Sequence, residues 1–256
     1  MERSFFNRKD PVVTFLTHGA TVAEICDGIA EAYQAGAEGI AVEMFDLPPE
    51  ERTISNYKTI MATAPLPYMF ILYRNDQWLK SDDAARQKFL LDAVDAGAEV
   101  VDVMGDLFQP SEFELATDPA AVGKQKALIR EIHERGGKVV MSSHMPQFRT
   151  QDEILAHLQT QSERGADILK IVCGCNSEEE LNSQIAATMM LSRTLTKPFI
   201  HLSGGSWSRL HRFLSPMLGS AIAFAKNTSG ELQPSVREYR NVFANMQWHI
   251  GDNRKV

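Results

Sequence analysis

The sequence predicts a (β/α)8 barrel, a ring of parallel strands wrapped by helices, and three observations predict it. One phrase recurs along the 256 residues: a helix closed by glycine, then a charged residue, then a short apolar run. The apolar runs are short, bounded by turn residues and do not alternate with polar ones, which is how strands buried on both faces read. Strands of this kind alternating with helical stretches over this length fit a closed barrel better than an open doubly wound sheet. No linker or low-complexity tract interrupts the chain, so residues 1–256 are read as one barrel domain.

In order, the first strand is expected at 12–16. The second follows the first copy of the phrase, Gly36-Ala-Glu-Gly-Ile-Ala-Val-Glu43, and the third covers 68–73. Gly97-Ala-Glu-Val-Val-Asp-Val103, Gly136-Gly-Lys-Val-Val-Met-Ser142 and Gly165-Ala-Asp-Ile-Leu-Lys-Ile171 carry the fourth, fifth and sixth, and 199–202 and 221–225 the last two. Glycine just past a helix and immediately before a strand is the αβ junction of a β/α repeat, because only glycine adopts the left-handed turn there without cost. Helix starts are marked by Thr21…Glu24, Thr150…Glu153 and Ser177…Glu180, each read as a reciprocal capping box.

Composition narrows the function classes. A net charge of −7 argues against binding nucleic acid through phosphate contacts. No apolar run reaches the length of a membrane span, and the first ten residues lack the apolar core of a secretory signal. Cys26, Cys173 and Cys175 are a sparse set that suggests a reducing compartment, so a cytoplasmic protein is expected. Cys173-Gly-Cys175 has no second ligand pair, so no zinc site is expected.

In a (β/α)8 barrel the chemistry sits at the carboxyl ends of the strands. These ends offer Thr17 and His18, Glu43, Arg74, Asp102, His144, Lys170, His201 with Ser203-Gly-Gly-Ser206, and finally Lys226, Asn227 and Ser229. A packed barrel interior prefers branched apolar residues, so this polar collection reads as a site. Lys170 is its centre: a lysine inside an apolar strand loses hydration its ammonium needs. Two readings follow, an ion-paired structural lysine or a desolvated amine that attacks a carbonyl. The glycines of Ser203-Gly-Gly-Ser206, followed by Arg209 and Arg212, are a weak sign of an anion site that suits a carboxylate as well as a phosphate.

Val140-Met-Ser-Ser-His144, the Gly165–Ile171 phrase with Lys170, and Ser229-Gly-Glu-Leu-Gln233-Pro-Ser235 occur in that order. Together they resemble the type I 3-dehydroquinate dehydratases, and the likeness runs from about residue 11 onward. The resemblance implies dehydration of 3-dehydroquinate to 3-dehydroshikimate through an imine on Lys170. His144 removes the proton next to the imine carbon, protonates the departing hydroxyl and shuttles protons in imine formation and hydrolysis, roles that suit imidazole. Asp102 matches a carboxylate beside that histidine. Arg212, Ser229 and Gln233 match the residues that hold the substrate carboxylate, the last two from a closing loop, and Glu43 and Arg74 match groups near the ring hydroxyls. The iminium supplies the positive charge, so neither metal nor other cofactor is implied. The implied partner is a small cyclic keto acid, and the likeness suggests a homodimer.

The chain departs from the family at two places. Glu43-Met-Phe45 has an aromatic ring where the family has a second cation, and Trp78 stands where the family has a glutamate that positions the histidine, leaving Asp76 as the nearest substitute. These departures keep a second reading open, the same Lys170 and His144 acting on another keto acid or keto sugar as dehydratase or aldolase. A metal-dependent barrel using His18, Glu43, His144 and His201, and a barrel that binds a small acid without turning it over, are the remaining alternatives.

Overall fold

A computed structural model describes residues 4–6, 8–80 and 82–245. Eight strands and eight helices alternate as β1 (Val12–Thr17), α1 (Val22–Gln34), β2 (Gly39–Glu43), α2 (Ile54–Ala62), β3 (Tyr68–Ile71), α3 (Asp83–Ala96), β4 (Val100–Met104) and α4 (Pro119–Glu134). The second half continues with β5 (Lys138–His144), α5 (Gln151–Arg164), β6 (Ile168–Gly174), α6 (Glu178–Thr194), β7 (Phe199–Gly204), α7 (Ser208–Met217), β8 (Ile222–Ala225) and α8 (Val236–Asn245). The strands are all parallel and neighbour one another in the order β7-β6-β5-β4-β3-β2-β1-β8. The seam between β7 and β8 is tied by the Ala221 amide to the Phe199 carbonyl at 2.7 Å, and by the His201 amide to the Ser220 hydroxyl at 3.3 Å.

The four junction glycines carry the conformation their positions demand: φ is 99° at Gly36, 110° at Gly97, 87° at Gly136 and 107° at Gly165. The helix starts are less uniform than expected. Thr150 and Glu153 form a full capping box. Thr21 and Ser177 accept from the third amide of their helices, but the partner glutamates reach one residue further back, to the amides of Ala20 and Asn176. A glutamate side chain spans either distance, so the spacing alone does not select the acceptor amide.

Two apolar layers follow from strands buried on both faces. One lies between sheet and helices, with Ile25, Ile29, Phe70, Leu128, Ile154 and Leu191 among its members. The other fills the barrel with Val12, Ala41, Met69, Val100, Val140, Ile168, Ile200 and Ile222. Phe5 joins the inner layer and stoppers the amino-terminal end, its ring so close to Gly39 that a Cβ there would meet it at 2.7 Å. The barrel is therefore packed at one end, and its polar strand ends open only at the other. Among the described residues no helix is long and apolar enough to cross a membrane.

Candidate active site

A cavity of about 220 Å3 lies at the carboxyl ends of the strands, lined by Glu43, Tyr73, His144, Lys170, Arg212 and Gln233 over an apolar wall that includes Leu16, Ile71 and Phe224. Strand alternation sets the floor. Lys170 in β6 pairs in register with Ser142 in β5, and both side chains enter the barrel. Lys170 is 5% exposed and its Nζ lies 3.4 Å from Asp102 Oδ2, so it is at once buried and ion-paired. Both readings of the sequence meet in this one residue.

Asp102 is not placed beside His144. Its carboxylate accepts from Ser142 and from the Tyr73 hydroxyl (2.6 Å) and faces Lys170, because β4 directs it into the barrel one layer below the histidine. The carboxylate on His144 belongs to Glu114, in the loop after β4. Its Oε2 accepts the His144 backbone amide at 2.7 Å and lies 3.0 Å from Nδ1. A carboxylate only accepts, so Nδ1 carries a hydrogen, and in the neutral ring the lone pair then lies on Nε2. Burial pushes the Glu114 carboxyl upward, but its hydrogen bonds to His144 and the charges of His144 and Lys170 outweigh it and hold the group below its ordinary value.

Glu114 is reached by an unusual backbone. Its φ of 45° is left-handed, a conformation costing a non-glycine residue roughly 1–2 kcal/mol. The loop is clamped by the Ser143 hydroxyl on the Glu114 carbonyl (2.7 Å) and by Gly105, where a Cβ would meet that same carbonyl at 2.4 Å. Nothing in the sequence marks Glu114; the Gly105 beneath it is the one local signal that a backbone passes close by. Asp76, the nearest substitute after Trp78, is committed elsewhere: it pairs with Arg52 and caps the amides of Trp78 and Leu79.

Arg74 does not reach the cavity. Its guanidinium turns outward to Asp106 (2.5 Å) and Asp83 (3.1 Å), two carboxylates that outcompete a solvent-filled cavity for a cation. Glu43 does line the cavity. Burial raises its carboxyl above the ordinary value, and Lys226, Lys170, His18 and His144 pull in the other direction. The ring of Phe45 stacks on His18 at 5.1 Å, and His18 is paired with Asp46.

Arg212, the residue the family likeness selects, and Arg209, its neighbour in sequence, have separate positions. Arg212 is 7% exposed, lines the cavity, donates Nε to the Ser203 carbonyl and has no carboxylate partner among the described residues. Arg209 lies outside and holds the closing loop through the Gly230 carbonyl and the Ser229 hydroxyl. Of the two loop residues singled out from the sequence, Gln233 lines the cavity, whereas Ser229 is exposed and bound to Arg209. His201 points out of the barrel to Thr188 and Gln184, so the four-residue metal set is not brought together. All three cysteines are free thiols.

A model of the type I 3-dehydroquinase family matches residues 14–249. The chain belongs to that family. Curated relatives include the 3-dehydroquinate dehydratase of Alkaliphilus oremlandii, 35% identical over 121 residues, which are 46% of this chain and 48% of that one. That of Listeria monocytogenes serotype 4b is 28% identical over 77% of this chain and 75% of its own. The match thus spans about half the length of the first of these relatives. Among solved structures, the 3-dehydroquinate dehydratase of Geobacillus kaustophilus superposes with a TM-score of 0.80 at 18% identity, covering 93% of this chain and 91% of that one. The type I enzyme of Clostridium difficile, solved with covalently modified comenic acid, gives 0.78 at 18% identity over 93% and 92%. These superpositions share the barrel fold with this chain.

Proposed function

We propose that the protein is a Schiff-base lyase that dehydrates 3-dehydroquinate to 3-dehydroshikimate. One observation carries the reading: the Lys170 amine, the His144 imidazole and the Arg212 guanidinium, which has no carboxylate partner among the described residues, converge on a single cavity. A buried guanidinium with no carboxylate of its own is costly, and a substrate carboxylate would relieve it bidentately. With that carboxylate on Arg212, the ring ketone is presented to Lys170. Attack by Nζ and loss of water give an iminium, which draws electrons from the neighbouring carbon. His144 Nε2, unprotonated while Nδ1 is bound to Glu114, takes the proton from that carbon. The resulting enamine expels the ring hydroxyl, which His144 protonates as it leaves. Hydrolysis of the product imine frees Lys170. Gln233, and Glu43 as a carboxyl or carboxylate, are placed to hydrogen-bond the rest of the ring.

A second reading, the same pair acting on a less hydroxylated keto acid, is favoured by one feature. Arg74 is turned away and Phe45 is stacked on His18, which leaves the cavity wall more apolar than a polyhydroxylated ring calls for.

Intact-mass analysis after adding 3-dehydroquinate and borohydride separates the two. An adduct on Lys170 lighter by one water than the substrate imine supports the dehydratase. An adduct of full substrate mass supports capture without dehydration and moves the search to other keto acids. No adduct refutes the imine with this ketone. Lys170→Ala should form none, and near-normal turnover by that variant would overturn the mechanism.

A further inference from the structure

Tyr73 follows β3 and enters the cavity between the two charged groups on its floor. Its hydroxyl oxygen is 2.5 Å from Lys170 Nζ and 2.6 Å from Asp102 Oδ2, while the two ions are themselves 3.4 Å apart. Chemistry sets the direction of each bond. A carboxylate only accepts, so the phenol proton points at Asp102; an ammonium only donates, so Lys170 gives its proton to the phenol oxygen. The second Asp102 oxygen is taken by Ser142, which leaves Tyr73 as the shorter link between amine and carboxylate. The Tyr73 ring stands edge-on to His144 with centroids 4.9 Å apart, so hydroxyl and imidazole face the cavity from adjacent positions.

We infer that Tyr73 is a catalytic residue of imine formation, relaying a proton between Lys170 and Asp102; the inference rests on the imine reading above and assigns a step within it. In the resting site Lys170 is an ammonium and Asp102 a carboxylate. As substrate enters, the ammonium passes a proton to the Tyr73 oxygen while the Tyr73 proton moves to Asp102, leaving a neutral amine, a neutral phenol and a carboxylic acid. The amine lone pair forms the N–C bond, the carbonyl π pair moves to oxygen, and a proton from nitrogen completes the carbinolamine. The Asp102 proton then returns through Tyr73 to the carbinolamine oxygen. That oxygen leaves as water with its bonding pair while the nitrogen lone pair closes the C=N bond. Iminium and carboxylate remain, with the charge they began with. Burial together with the Asp102 charge raises the phenol well above its ordinary range, so it holds its proton between transfers and acts as a conduit. His144, whose ring stands next to that of Tyr73, carries the carbon-bound proton and the proton for the departing ring hydroxyl.

The test is rapid-quench borohydride trapping with 3-dehydroquinate, read by intact mass, on the wild type, Tyr73→Phe, Asp102→Asn and the double variant. Thermal unfolding of each establishes that it is folded. Wild type should give the Lys170 adduct, and each single variant the same adduct at least about a hundredfold more slowly, the low end for a lost proton carrier. The double variant should be no slower than the slower single one, because both residues serve one relay. His144→Ala should still trap the Lys170 adduct while losing turnover. Trapping by Tyr73→Phe within about threefold of wild type would overturn the relay and leave the imine intact; failure of wild type to trap would remove the imine reading and the relay with it.

Discussion

A shift from pH 7 to pH 5 should remove roughly 4 kcal/mol of stability from this barrel, about 2 kcal/mol from each of the interior histidines His157 and His211, and His201 acts in the same direction. His201 and His211 lie behind β7 with both nitrogens of each ring in hydrogen bonds. His211 Nδ1 lies 2.7 Å from the Ser203 hydroxyl and its Nε2 2.9 Å from the Thr188 hydroxyl, while His201 Nδ1 lies 2.9 Å from the same Thr188 hydroxyl and its Nε2 donates to Gln184 Oε1 (2.7 Å). Thr188 also donates to the Gln184 backbone carbonyl (3.0 Å), and none of these partners is a carboxylate that would favour a second proton on either ring. Burial, with Arg212 adding to it, lowers His211 to about 3; burial, with Arg149 and Arg164, lowers His157 to about 4; burial and His211 hold His201 well below its ordinary value. A histidine in the unfolded chain titrates near ~6.5. As pH falls through that value the unfolded state takes up protons that the folded state refuses, so the contribution is complete above ~6.5 and is lost as the pH drops toward the folded values. Over the interval from 7 to 5 His157 and His211 each lose about 1.4 log units, or about 2 kcal/mol at 1.36 per unit. The sum is comparable with the ~5–15 kcal/mol that holds a domain together. Urea unfolding followed by circular dichroism at pH 7, 6 and 5 measures it, and His157→Gln should reduce the loss by about 2 kcal/mol. Equal free energies at pH 5 and 7, or native-state NMR titration of these rings near 6.5, would refute the reasoning.

Glu114→Gln should lower kcat by about 10- to 100-fold with KM little changed, since it removes one charge-assisted hydrogen bond, worth ~1.5–3 kcal/mol, from the histidine that moves the protons. Steady-state kinetics decide it, and an unchanged kcat would return Glu114 to a purely structural role. Arg212→Leu should raise KM at least about tenfold while leaving the thermal midpoint unchanged or higher, because a buried charge with no carboxylate partner among the described residues stabilises the ligand rather than the fold. A large fall in the midpoint with normal KM would contradict it. Gly174→Ala should destabilise by more than ~3 kcal/mol, because its Cβ would stand 2.0 Å from the Pro146 carbonyl, a backbone atom that cannot rotate away. Urea denaturation reads this directly, and a loss under ~1 kcal/mol would show that the β5–α5 turn yields easily.

The barrel was legible because its signals are local. A left-handed glycine at Gly36, Gly97, Gly136 or Gly165 is dictated by the turn it makes, and the apolar runs after them report burial on both faces. The expected strand ends fell within a few residues of β1–β8, since the same residues that end the periodicity end the hydrogen-bonded ladder. Parts of the site were legible for a related reason. Lys170 and His144 sit at fixed steps along strands, so strand register alone brings Lys170 level with Ser142 and His144 level with Val172. Even the reach of a helix cap proved less determinate, as Glu24 and Glu180 show by choosing the amide one residue earlier.

By itself the sequence determined the order of strands and helices, the open end of the barrel and the lysine and histidine at its centre, because these depend on neighbours a few residues away. Only the tertiary structure decided which carboxylate serves which base. Glu114 reaches His144 across 30 residues from a loop bent through a left-handed backbone, Tyr73 and Asp102 close on Lys170 from 97 and 68 residues away, and Arg74 is drawn off to Asp106. Pairings of this kind are settled by competition in space between charges whose separation along the chain carries no signal. A carboxylate bonds the nearest unclaimed donor once the barrel has closed, and folding alone establishes which donor that is.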